Sequence, residues 1–197
     1  MTKRIFLLAL LLGATVATMA QRYVGGDISL LPSYEAKGAE YYDEAGAPID
    51  DPLAFFTSKG MNAMRLRLFV QPAHASAEDR GQGVCQDLDY IVPLAKRVKQ
   101  AGLRLLLDFH YSDSWADPAK QWTPRAWQGL DDETLADSLA QYTRRVLRRL
   151  KAEGATPDLI QPTRSATACC GERSRRATPR LAIPMRQRPT GSALPVC

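Results

Sequence analysis

The stretch Leu103 to His110, L-R-L-L-L-D-F-H, is an almost uninterrupted apolar run that turns polar only at its end. A strand with one wet face alternates apolar and polar residues, whereas a near-continuous run marks a strand covered on both faces. Such strands belong to parallel sheets, whose crossover helices do the covering. The neighbouring sequence supplies those helices and further strands. Y-V-G-G-D-I-S-L-L, residues 23 to 31, is a short apolar run entering a polar loop. Residues 51 to 60 read as a helix opened by Asp51-Pro52 and closed by Gly60. Asn62 to Val70 alternates and stops before Pro72, as a strand does. From about Asp87 to Ala101, Leu88, Ile91, Val92, Leu94, Ala95 and Val98 fall on one helical face, with Gly102 as the stop. Asp131 or Asp132 caps a long helix in which Leu135, Leu139, Val146, Leu147 and Leu150 face inward, ending at Gly154. Asp158-Leu159-Ile160-Gln161 begins one more strand.

Strands alternating with helices define a parallel α/β protein, and right-handed crossovers leave two main architectures, a doubly wound sheet or a closed barrel. The polar residues choose between them. Asp27 closes the first strand, Arg65 and Arg67 sit in the second, and Asp108, His110, Tyr111, Asp113 and Trp115 crowd the end of the third. In a (β/α)8 barrel the strand C-termini are where active sites are built. No glycine-rich phosphate loop follows the first strand, and Gly25-Gly26-Asp27 is too short to replace one, which argues against nucleotide binding.

Composition matters chiefly at the two ends of the chain. Met1 to Ala20 carries Lys3 and Arg4, then an apolar run from Ile5 to Ala17, then small residues at Thr18 and Ala20. This is the pattern of a signal peptide rather than a retained membrane anchor, so residues 21 onward are expected to be soluble and secreted or periplasmic. The net charge of +5 is not spread evenly, because seven arginines after Pro162 stand against Glu172 alone. Residues 21 to 161 hold 20 acids and 17 basic residues, leaving no basic face to suit nucleic acid. Of the four cysteines only Cys85 precedes that arginine-rich tail, so no disulfide framework is expected. Cys169-Cys170 lacks the spacing and histidines of a zinc site, and no metal or other cofactor is expected. The doublets Arg144-Arg145 and Arg148-Arg149 read as the solvated face of a helix.

Several stretches carry a resemblance. L-L-L-D-F-H-Y-S-D-S-W-A-D-P-A-K-Q, with G-G-D-I-S-L-L, M-N-A-M-R-L-R-L-F-V-Q-P and D-L-I-Q, closely resembles the secreted arabinogalactan endo-β-1,4-galactanases of glycoside hydrolase family 53. The resemblance spans about residues 23 to 161 and implies strands 1–4, the N-terminal half of a (β/α)8 TIM barrel that cleaves β-1,4-galactan, a side chain of pectin, with retention. It also implies two catalytic glutamates, an acid/base in an Asn-Glu pair after the fourth strand and a nucleophile after the seventh. Retention places such carboxyls roughly 5 to 5.5 Å apart. After Gln161 the family would continue Gly-Asn-Glu-Ile-Ser, whereas this chain reads Pro162-Thr163-Arg164-Ser165. Residues 163 to 173 have synonymous codings that, read one base earlier, give Asn-Glu-Ile-Ser-Asn-Gly-Met-Leu-Trp-Gly-Ala. Residues 162 to 197 are therefore read as an out-of-frame, disordered tail. Neither catalytic glutamate is expected in this chain, and half a barrel would expose an unpaired strand edge prone to aggregation.

By resemblance, a supporting half of the site remains. Arg65 or Arg67 would hold the nucleophile ionised, since an adjacent guanidinium favours the charged carboxylate; the other arginine is expected in a barrel-floor ion-pair network. His110 would orient carboxylates or sugar hydroxyls, although a lone strand histidine is also a common core residue. Trp115 suits either a galactose platform or packing, and Asp27 and Asp113 can accept hydrogen bonds from sugar hydroxyls. Two expectations follow: a galactanase-type hydrolase inactive as this chain, or a non-catalytic carbohydrate-binding remnant. An exported structural protein is the bland alternative.

Overall fold

The structure, a computed structural model, describes residues 22–117 and 120–162. The expected signal peptide, and the expected tail apart from Pro162, lie outside the described residues; Pro162 is the last residue of a strand instead of the first of a tail. Four strands form one parallel sheet in the order β1 (Gly25–Asp27), β2 (Ala63–Leu68), β3 (Arg104–Phe109), β4 (Leu159–Pro162). Each strand pairs with its successor in the chain, which is how a barrel grows. A doubly wound sheet would reverse direction at a switch point, so the strand order decides the alternative left open by the sequence.

The helices form where local signals direct. Helix α1 is Leu31–Ala36, α2 is Pro52–Ser58, α3 is Ala77–Gly81, α4 is Leu88–Gln100 and α5 is Asp132–Ala152. Asp51, Asp87 and Asp131 cap α2, α4 and α5 by accepting hydrogen bonds from backbone N–H groups two or three residues on, at 2.8–3.3 Å. Asp131, not Asp132, is thus the cap of α5. Helix α4 contains Pro93, which is tolerated on its solvent side while Ile91, Val92, Leu94, Ala95 and Val98 are buried. In α5, Leu135, Val146 and Leu150 are buried, with Leu139 and Leu147 partly so. Tyr142 joins them in the core, and its Oη donates to the Phe69 carbonyl at 3.0 Å.

The core lies between the sheet and these helices. Met64, Leu66 and Leu68 of β2 meet Leu105, Leu107 and Phe109 of β3, all at most 1% exposed. At roughly 25 cal/mol per Å² of buried apolar surface, each such side chain contributes about 1.5–3 kcal/mol. On the opposite face Arg65, Arg67 and Leu106 are only half-buried. Gly25 lets β1 approach β2 closely, because a Cβ there would overlap the Ala63 carbonyl. β4 is one edge of the described sheet, and its Ile160 is 48% exposed.

Candidate active site

Parallel register places side chains of paired residues on the same side of the sheet, so pairing determines who meets whom. Asp27 pairs with Arg65, and Arg67 pairs with Asp108, which in turn pairs with Gln161. Both arginines therefore join one network at the C-terminal ends of the strands. Arg67 Nε lies 2.9 Å from Asp27 Oδ2 and its Nη2 donates to Asp27 Oδ1 at 3.1 Å. Its backbone N–H donates to Ser29 Oγ at 2.8 Å. Arg65 Nε lies 3.7 Å from Asp27 Oδ2 and donates to Asp108 Oδ2 at 3.1 Å, with Arg65 Nη2 on the same oxygen. The ion-pair network expected for one arginine takes in both, each being tied to carboxylates among the described residues.

Asp108 is the residue that strand patterning left without a role. It is completely buried, and burial pushes its carboxyl up, but hydrogen bonds and charge from His110 and Arg65 outweigh that and hold it below its ordinary value. His110 Nε2 lies 3.3 Å from Asp108 Oδ2, and His110 Nδ1 accepts the Ala116 N–H at 3.0 Å. With Nδ1 engaged by that N–H, Nε2 is the ring nitrogen left beside Asp108. Asp108 Oδ1 is buried and accepts no hydrogen bond from the described residues. A buried carboxylate oxygen in that condition offers an acceptor to a further donor.

The loop after β3 turns sharply to bring its side chains over this network. Tyr111 has φ +42°, an uncommon left-handed conformation for a residue with a bulky side chain. Its ring stacks on Phe109 at 5.1 Å and its hydroxyl bonds Thr143 Oγ1 at 2.9 Å, contacts that hold the turn in place. Trp115 lies with one face under the Arg67 guanidinium, 4.6 Å from the ring centroid. Phe69 and His110 meet the same indole with ring centroids 5.4 and 6.2 Å away. Asp113 is turned into the loop instead of the network: Oδ2 accepts the Arg125 N–H at 2.8 Å and lies 3.6 Å from His74 Nδ1. Its Oδ1 is buried and takes no hydrogen bond from the described residues. The structure thus brings together Asp27, Arg65, Arg67, His110 and Trp115, and sets Asp113 at the margin. Among the described residues, no three of His, Cys, Asp and Glu converge to hold a metal ion.

A sequentially ordered parallel sheet with a charged cluster at its strand C-termini is the opening portion of a (β/α)8 glycosidase barrel. The chain belongs to glycosyl hydrolase family 53, whose profile matches residues 23–164. It is 37% identical over 156 residues to the arabinogalactan endo-β-1,4-galactanase of Cellvibrio japonicus, covering 79% of this chain and 39% of that protein. The endo-β-1,4-galactanase of Bacillus subtilis is 34% identical over 139 residues, 70% of this chain and 32% of its own. A solved fungal β-1,4-galactanase superposes with a TM-score of 0.62 at 35% identity, covering 72% of this chain and 39% of that one. The chain spans about 35–40% of the length of the first curated relatives it matches.

Proposed function

We propose that the chain carries the first part of an endo-acting galactanase, a hydrolase that cleaves β-1,4-galactan side chains of pectin with retention of configuration. The observation that carries this reading is the connected network of Asp27, Arg65, Arg67, Asp108 and His110 at the strand C-termini, in a member of family 53. Relatives named as galactanases support the substrate. In this reading the guanidinia of Arg65 and Arg67 supply positive potential beside the nucleophile, lowering the cost of its ionised form. His110, whose Nε2 lies beside Asp108, orients groups around the scissile bond. Asp27, Asp113 and Trp115 contribute contacts to sugar hydroxyls and rings. Retention needs two carboxyls roughly 5 to 5.5 Å apart, and where the family pattern has Asn-Glu this chain has Thr163-Arg164. The chain as written is therefore proposed to lack hydrolytic activity.

The test is release of reducing ends from β-1,4-galactan by the 197-residue chain and by a product whose codons from 163 onward are read in the alternate frame. Hydrolysis by the second alone is expected; hydrolysis by the first, or by neither, refutes the reading. Binding of galactan by the 197-residue chain without cleavage would favour the carbohydrate-binding remnant. Export is proposed from Lys3-Arg4 and the apolar run that follows, and N-terminal sequencing of exported protein should start just after Ala20.

A further inference from the structure

Helix α5 carries a basic surface that the strand-end network does not use. Arg144, Arg145 and Arg148 line an open groove of about 820 Å³, with Trp127, Tyr142 and Gln141 beside them. The groove reaches Gln71, just past the end of β2, so it opens beside the same end of the sheet as the candidate active site.

These three arginines differ from most others among the described residues. Arg65 and Arg67 pair with Asp27 and Asp108, Arg97 with Glu35, Arg104 with Asp158, and Arg149 with Glu153. Arg80 is spent on the carbonyls of Ala73 and Ala75. Arg144, Arg145 and Arg148 are exposed and have no acidic partner among the described residues. The helix dipole does not account for all of them, because its effect is confined to the last turn, where Arg149 and Lys151 already stand. Arg144 and Arg145 lie more than one turn earlier. The wall behind them is fixed: Arg145 sits 5.4 Å from the Tyr142 ring centroid, Trp127 packs on Tyr142 at 5.8 Å, and the Tyr142 hydroxyl is anchored on Phe69. Half-buried Trp127 leaves apolar ring surface at the groove.

We propose that this groove is a second carbohydrate site, specific for a chain of uronic acid sugars. The planar forks of Arg144, Arg145 and Arg148 receive sugar carboxylates in bidentate fashion, which ammonium groups do not reproduce. Trp127 provides the flat apolar surface for a ring, and the Gln141 amide meets hydroxyls. Nucleic acid suits the groove less well, since residues 21 to 161 hold more acids than basic residues and three arginines make a short positive surface.

The test is calorimetric titration of the full chain with an oligogalacturonate at moderate salt, against the triple variant R144A/R145A/R148A. The exposed positions leave folding intact, which an unchanged urea transition verifies. The variant retains the seven arginines after Pro162, so binding by that segment is subtracted. Loss of about tenfold or more in affinity is expected for the triple variant, and the corresponding triple lysine variant should recover only a minor part. Unchanged affinity in the alanine variant overturns the proposal. Equal binding of a neutral galacto-oligosaccharide, or tighter binding of single-stranded DNA, overturns it as well. Because neutral galactan is the ligand expected for the strand-end site, failure here and failure of the hydrolase reading are separate results.

Discussion

Replacing Asp158 by Asn should show how much one carboxylate contributes to closing β4 onto the sheet. Asp158 precedes β4, and its two oxygens accept from Lys99 Nζ at 2.7 Å, Arg104 Nη1 at 2.7 Å and the Leu105 N–H at 2.8 Å. Burial pushes this carboxyl up, but those three donors outweigh burial and hold it at about 2, against an ordinary 3.8. At 1.36 kcal/mol per pH unit, that gap corresponds to about 2.5 kcal/mol of folding stability at neutral pH. Water screens part of it, since Arg104 is 51% exposed and Lys99 28%, leaving about 1–2 kcal/mol. The sign follows from a depressed folded value: the contribution is complete well above the unfolded value near 3.8 and disappears as pH falls through about 2. Urea unfolding at pH 7 should therefore show D158N less stable by about 1–2 kcal/mol, and the difference should shrink by about half at pH 3. A difference that stays constant between the two pH values would refute the electrostatic reasoning. One below about 0.5 kcal/mol at pH 7 would refute the claim that these bonds hold β4.

Three further outcomes follow from the same contacts. Asp108→Asn removes the charge that Arg65 and His110 converge on, and should cost about 2–4 kcal/mol at neutral pH in urea unfolding; because the Asp108 carboxyl is held below its ordinary value, the loss should fade as pH drops below the carboxylate range. Tyr142→Phe leaves the buried Phe69 carbonyl without its donor and should lower stability by about 1–2 kcal/mol in thermal unfolding, where no change would mean water replaces the hydroxyl. Gly25→Ala forces β1 away from the Ala63 carbonyl, and should raise hydrogen-exchange rates at Asn62 and Ala63, whose N–H groups both donate to Val24; unchanged exchange there would show that the strand shifts at no cost.

The parts of this fold legible in the sequence are those governed by neighbours along the chain. Asp51, Asp87 and Asp131 reach backbone groups two or three residues away, so the starts of α2, α4 and α5 are written locally. The inward face of α4 follows from its helical period, and the buried β3 from its unbroken apolar run. Helices α1 and α3, six and five residues long, were not legible, because so short a segment completes too few turns to show a period.

At the site, the sequence places charged and aromatic residues at the strand ends but does not give their partners. Asp27, Arg65, Arg67, His110 and Trp115 could be marked from alternation and resemblance alone. That Arg65 bonds Asp108, 43 positions away, and that Asp113 turns toward Arg125 are outcomes of strand register and loop path. The same holds for the arginines of α5, whose spacing is that of any solvated helix face until folding brings Trp127 beside them. Local hydrogen bonds and periodicity act over one or two turns, so a linear pattern contains them. Charge pairing acts between strands far apart along the chain, whose register is set only when the sheet forms, and that is what the tertiary structure decided.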